Sequence, residues 1–144
     1  MVAYAELAVT TNFSFLRGAS QPGELVERAQ ELGLTALGVA DRNSVAGVVR
    51  AHVAAKEIGV KLVVGARLVF ADRTPDILSF PRDRAAWGRL TRLLTVGKSR
   101  ADKGECTLFL DDLVEYGVAR LVLEDAHLHA AAAEDLDWLV TRGL

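Results

Sequence analysis

Residues 61–70, Lys-Leu-Val-Val-Gly-Ala-Arg-Leu-Val-Phe, constrain the fold more than any other stretch of this chain. The run is apolar at successive positions instead of alternating, the pattern of a strand covered on both faces, as in a parallel sheet flanked by helices. Its neighbours follow suit. Residues 35–40 (TALGVA) form a second short buried strand, residues 3–10 alternate enough for a first, and residues 77–80 and 120–123 supply two more. Helical stripes lie between them. Ser20 reads as an N-cap with Pro22 and Glu24 in the first turn, Leu25, Val26, Ala29 and Leu32 as the apolar face and Gly33 as the stop. Ser44 caps a second helix carrying Val45, Val48, Val49 and Val53 and ending at Gly59. A third starts near Asp83, shows Trp87, Leu90, Leu93 and Leu94 on one face, and stops at Gly97. A charged loop at 98–105, a short helix at 111–116 and a last helix at 126–142 complete the chain.

Short strands separated by helices mean βα units with right-handed crossovers. Five strands and five helices fit an open doubly wound sheet or part of a β/α barrel, and periodicity does not separate the two. In both, chemistry belongs at the carboxyl ends of the strands. Here those ends carry Ala8 to Arg17, Asp41 to Asn43, and Arg67.

The chain has 144 residues, 51% hydrophobic and 25% charged, enough for a single domain with a packed core. No apolar run approaches the ~20 residues of a membrane span. Glu6 interrupts the first apolar stretch and no basic segment precedes it, so no signal peptide and a cytoplasmic location are expected. One cysteine, Cys106, excludes an intrachain disulfide. There is no G-x-G-x-x-G, Walker A or G-x-S-x-G sequence. His127 and His129 fall at the start of a helical stretch, where side chains two residues apart diverge by about 200°; they read as a solvated helix start, and His52 as a packing or surface residue. Charge is uneven: residues 1–100 hold 14 basic and 9 acidic side chains, residues 101–144 hold 3 and 10. Between residues 82 and 103, Arg82, Arg84, Arg89, Arg92, Lys98, Arg100 and Lys103 stand against only Asp83 and Asp102. Such a stretch is either the solvated face of an amphipathic helix or a nucleic-acid contact.

Several blocks then agree in order and spacing: Glu6-Leu7, Asn12 to Ser20 (NFSFLRGAS), Glu24 to Ala29, Ala40 to Ser44 (ADRNS), Gly47 to Ala51, Ala54 to Glu57 and Val64 to Leu68. Asp83 to Leu90, Leu93 to Lys98 and Lys103 to Cys106 continue the series. Together they resemble the PHP (polymerase and histidinol phosphatase) domain at the N-terminus of bacterial C-family DNA polymerases, most of all the error-prone, damage-inducible branch. The resemblance covers residues 3–123 and fades beyond residue 125.

The resemblance implies a distorted β/α barrel of seven parallel strands. With five strands, residues 1–144 would form one partial, truncated barrel whose exposed edge calls for a C-terminal helix, a second copy in a homodimer, or the remaining polymerase domains. In the family's metal-binding members, histidines and carboxylates at the strand ends hold two or three divalent ions that activate water for phosphoester cleavage. This chain departs at those positions. Ala8 and Thr10 stand where the family has a His-x-His, Arg17 replaces an aspartate, Arg42 a histidine, and Arg67 a glutamate; Asp41 remains, followed by Asn43. A single carboxylate does not hold a dication beside three guanidinium groups. The expectation is a metal-free domain without cofactor or catalytic residue, in which Arg17, Arg42 and Arg67 either pair internally with Asp41 or Glu6, or form an anion pocket. Its role would be structural, or a contact to DNA or to translesion accessory proteins, in a polymerase for damage-induced synthesis. An active metal-dependent phosphoesterase and a stand-alone nucleic-acid-binding scaffold are the alternatives. The chain alone lacks the carboxylates that perform nucleotidyl transfer in such polymerases.

Overall fold

The computed structural model describes residues 3–117 and the strand at 121–123. Two βα units open it: β1 (Ala5–Val9), α1 (Pro22–Glu31), β2 (Ala36–Arg42) and α2 (Val48–Ile58), leading into β3 (Leu62–Leu68). Then come β4 (Ile77–Ser79), α3 (Arg84–Ser99), α4 (Leu110–Tyr116) and β5 (Leu121–Leu123). One curled sheet runs in the order β1-β2-β3-β4-β5. The expected partial β/α barrel architecture is present, with β1, β2 and β3 parallel.

The expectation that every strand is parallel fails at β4, which pairs antiparallel with β3 and with β5. Only residues 69–76, without a helix, join β3 to β4. A parallel return needs a crossover of a dozen or more residues, so this link can only turn back.

Local chemistry sets the helix ends. Pro22 occupies the first turn of α1, but the cap is Gln21, one residue beyond the expected Ser20, and its amide donates to Glu24 Oε2 at 2.7 Å. Ser44 is not the cap of α2: its Oγ accepts from the amide of Ala46 in a turn, and the helix begins after Gly47. Asp83 does cap α3, accepting from the amide of Ala86 at 2.7 Å. Gly97, read as a stop, lies inside α3 because a Cβ there would meet Cys106 Sγ and Leu108 Cδ2 at 2.6 Å. The helix uses glycine for close packing there and runs on to Ser99. The expected helix at 126–142, with His127 and His129, lies outside the described residues.

Both faces of the sheet are dry, as the run at 61–70 requires. Leu37, Val39, Leu62 and Val64 pack outward on Val26 and Ala29 of α1 and Val48, Ala51 and Ala55 of α2. Ala36, Ala40 and Val63 point the other way, onto Leu78 and Phe80, with Ala5, Leu7 and Ala8 of β1 against them. A third cluster seats Leu90, Leu93 and Leu94 of α3 on Leu68, Phe70 and Ile77. The inner face is built of small residues, so strands approach closely: a Cβ on Gly38 would lie 2.7 Å from Leu7 Cα. These contacts place the carboxyl ends of β1, β2 and β3 side by side.

Candidate anion-binding cleft at the strand ends

Asp41, at the end of β2, is 1% exposed and organises everything around it. Its Oδ1 accepts from the amide of Thr11 at 2.8 Å and from Ser14 Oγ at 2.7 Å; its Oδ2 accepts from Thr11 Oγ1 at 2.8 Å. Ser14 Oγ in turn accepts from the amide of Arg42 at 3.0 Å. The segment after β1 is thereby tied to the end of β2. It is tightened further by bonds from the amides of Arg17 and Gly18 to the carbonyl of Ser14. Gly18 is obligatory in this turn, since a Cβ would fall 2.2 Å from the carbonyl oxygen of Thr11. A buried carboxylate is tolerated where its lone pairs are filled, and hydroxyl and amide donors fill them here.

Asn43 continues the stitching with φ +46, a left-handed conformation that asparagine tolerates better than most residues. Its amide donates to the carbonyl of Arg67. Its side chain accepts from the amide of Val69 and donates to the carbonyl of Val69, at 2.9 and 3.2 Å. These bonds extend the β2–β3 ladder by one side chain and hold Arg42 and Arg67 at the same level of the sheet.

Above this floor opens a cleft of about 780 Å³. Phe13, Phe15, Arg17, Arg42 and Asn43 line it from the strand ends; Lys98, Asp102, Lys103, Glu105 and Cys106 line it from the end of α3 and the loop beyond. Phe13 is backed by Arg50, whose guanidinium sits 5.5 Å from the ring centroid. Burial pushes the Cys106 thiol pKa up, partly offset by Lys98, so the sulfur is the inert wall of a cationic site.

Two of the three arginines expected to converge do so. Arg17 and Arg42 are exposed on the cleft and, among the described residues, neither pairs with Asp41 or Glu6. Glu6 is taken by the hydroxyl of Tyr4 and the amide of Ala8. Arg67 is half-buried and turns toward Asp76, 3.7 Å away, outside the cleft lining. Ala8 packs against the inner core, and Thr10 is half-buried.

The basic stretch at 82–103 does not form one surface. Arg82 lies beside Asp83 at 4.0 Å, and Arg84 borders a separate apolar cavity of about 340 Å³ with Trp87, Val64 and His52. Arg89 Nε donates to the carbonyl of Gly117, and Arg92 is exposed on α3. Arg100 makes two bonds to Asp112, at 2.6 and 2.8 Å, and lies over the Phe109 ring. Lys98 and Lys103 alone join the cleft. Sequence reasoning missed the anchoring role of Thr11 and Ser14. The available signal was two hydroxyl residues directly after a strand, a pattern that competes for backbone and carboxylate partners.

The donor set does not fit a divalent-ion centre. Among the described residues no three His, Cys, Asp or Glu side chains are grouped to hold a metal, and both oxygens of Asp41 are engaged by protein donors.

Residues 6–136 match the family described as PHP domain. The chain belongs to the PHP domain family. Curated relatives of this PHP domain include the error-prone DNA polymerase of Caulobacter vibrioides, 56% identical over 120 residues, covering 83% of this chain and 11% of the relative. Error-prone DNA polymerase 1 of Agrobacterium fabrum is 55% identical over 141 residues, covering 98% of this chain and 12% of the relative. The error-prone DNA polymerase of Rhodopseudomonas palustris strain BisB5 is 52% identical, covering 90% and 12%. The PHP domain thus spans about a tenth of the length of these relatives. Among solved structures, a protein assigned as a metal-dependent phosphoesterase from Bifidobacterium adolescentis matches with a TM-score of 0.57 and 24% identity, covering 93% of this chain and 57% of that one. That likeness is one of fold.

Proposed function

We propose that this chain is a non-catalytic PHP domain of an error-prone DNA polymerase serving damage-induced translesion synthesis. On this reading it holds no metal and hydrolyses no phosphoester. It supports the remaining polymerase domains, and its strand-end cleft binds an anionic group through Arg17 and Arg42. One observation carries the reading: Asp41 has its oxygens filled by Thr11 and Ser14, while Arg17 and Arg42 stand on the cleft wall. Guanidinium groups at such positions suit phosphate oxygens, which they meet with paired N–H donors. The identity to error-prone polymerases supplies the context.

Elemental analysis after purification in metal-free buffer, with a model phosphodiester assay in added manganese or zinc, tests the catalytic half. Substoichiometric metal and no turnover are expected; two equivalents of bound zinc or manganese with hydrolysis would restore the phosphoesterase alternative. The anion half is read by titrating pyrophosphate into the wild type and Arg42→Ala. Saturable binding in the millimolar range, weakened in the variant, is the expected result.

A further inference from the structure

We propose that the cleft holds a single strand of nucleic acid, with a base stacked on Phe15 and phosphates on Arg17, Arg42, Lys98 and Lys103. The inference rests on the reading of the cleft as an anion site and names its ligand class.

Phe15 is the first reason. The residue is 84% exposed, yet it borders the cleft. A large ring normally turns inward, because burying it removes apolar surface from water. The segment forbids that here. Thr11 and Ser14 are pinned to Asp41, the amides of Arg17 and Gly18 are pinned to Ser14, and Leu16 adopts a left-handed φ of +61. The backbone cost of a left-handed leucine is carried by a turn whose outcome is an outward-facing ring.

Charge is the second. Four cations line the cleft against Asp102 and Glu105, a net surplus of two positive charges from three separate chain segments. Inorganic phosphate or pyrophosphate would use two of the cations and leave the aromatic ring idle. An acidic peptide would use the cations but, unlike a nucleic acid, does not carry a flat ring on every charged unit to lay on Phe15. A single strand uses both: each base has a face that stacks on an aromatic ring, and successive phosphates follow a cationic groove. Phe13, stacked with Arg50, adds a second aromatic wall in the same cleft.

The experiment is fluorescence anisotropy of a labelled oligodeoxythymidylate with the full 144-residue chain across a salt series. Wild type should bind saturably, with log K falling against log salt at a slope of about −3 for four phosphate contacts to a single strand. Phe15→Ala should weaken binding by at least about fivefold with the slope unchanged. Arg42→Ala should lower the slope by about 0.7. Lys56→Ala, in the last turn of α2 at the other end of the sheet, should leave both unchanged. Phe15 is at the surface, so its loss should leave the circular dichroism spectrum intact. Three outcomes overturn the proposal: no saturation, wild-type binding by Phe15→Ala, or equal competition by poly-glutamate at matched charge. If pyrophosphate still binds and the protein stays metal-free, any of these removes the single-strand inference while leaving the anion-site reading standing. Stoichiometric metal with hydrolysis would remove that reading itself.

Discussion

A single carboxylate decides how the strand ends are built. Asp41 looks in the sequence like the survivor of a metal site, but its contacts are those of a structural acceptor: one amide and two hydroxyls, all from the segment after β1. Removing it leaves those buried donors without an acceptor, and each unmade bond of this kind costs about 1–3 kcal/mol. Asp41→Ala should therefore destabilise the domain by about 3 kcal/mol in urea denaturation, with a loss of oligonucleotide binding that follows the loosened turn. Asp41→Asn should cost less, because the Thr11 hydroxyl can rotate to accept from the new amide. A protein whose stability were indifferent to Asp41→Ala would contradict this account of the floor of the cleft.

At the level of elements, the end of α3 and the start of α4 are joined by one acid. Asp112 receives both terminal nitrogens of Arg100 and also the amide of Phe109, the residue before α4. The Arg100 guanidinium, first, and the Phe109 amide, second, hold the Asp112 carboxyl below the usual aspartate range, against the opposing effect of burial. Asp72 is lowered in the same sense by Thr74 and by the amide of Leu110. Each group binds its proton more weakly folded than unfolded, so its stabilisation is complete above the ordinary aspartate pKa near about 3.9 and is lost as pH falls through the lower folded value. Denaturation midpoints measured from neutral pH downward should drop below about pH 4, and Asp112→Asn should flatten that drop. An unchanged acid profile in the variant would remove Asp112 from the explanation. The same junction shows why the basic stretch at 82–103 divides: Arg100 is committed to α4, while Lys98 and Lys103 are left facing the cleft.

On the scale of the whole molecule, two glycines let neighbouring strands of the curled sheet approach closely. Gly65 lies where a Cβ would meet the Ser79 carbonyl oxygen at 2.5 Å and the Phe80 ring at 2.6 Å. On Gly38 a Cβ would lie 2.7 Å from Leu7 Cα and 2.8 Å from the Leu7 carbonyl oxygen. Backbone neighbours cannot rotate away, so Gly65→Ala and Gly38→Ala should each cost about 2–3 kcal/mol, within the usual range for overpacking. Thermal or urea unfolding checks this; a neutral Gly65→Ala would mean that β3 and β4 are looser than their contact implies. The curled sheet brings side chains from residues 13–17, 42–44, 98 and 101–106 around one cleft.

The sequence by itself determined the strands, the helices among the described residues, the start of α3 near Asp83 and the family, because these depend on local periodicity and on blocks of matching residues. Its length of chain between β3 and β4 already excluded a parallel return, although the apolar pattern of residues 77–80 could not express direction. It also marked Arg17, Arg42 and Arg67 as departures from a metal site. What those arginines do was decided only by tertiary structure. Arg67 finds Asp76, and Arg17 and Arg42 meet lysines more than fifty positions away in sequence. Partner choice among charged groups is set by three-dimensional proximity, which a one-dimensional pattern of charges does not encode.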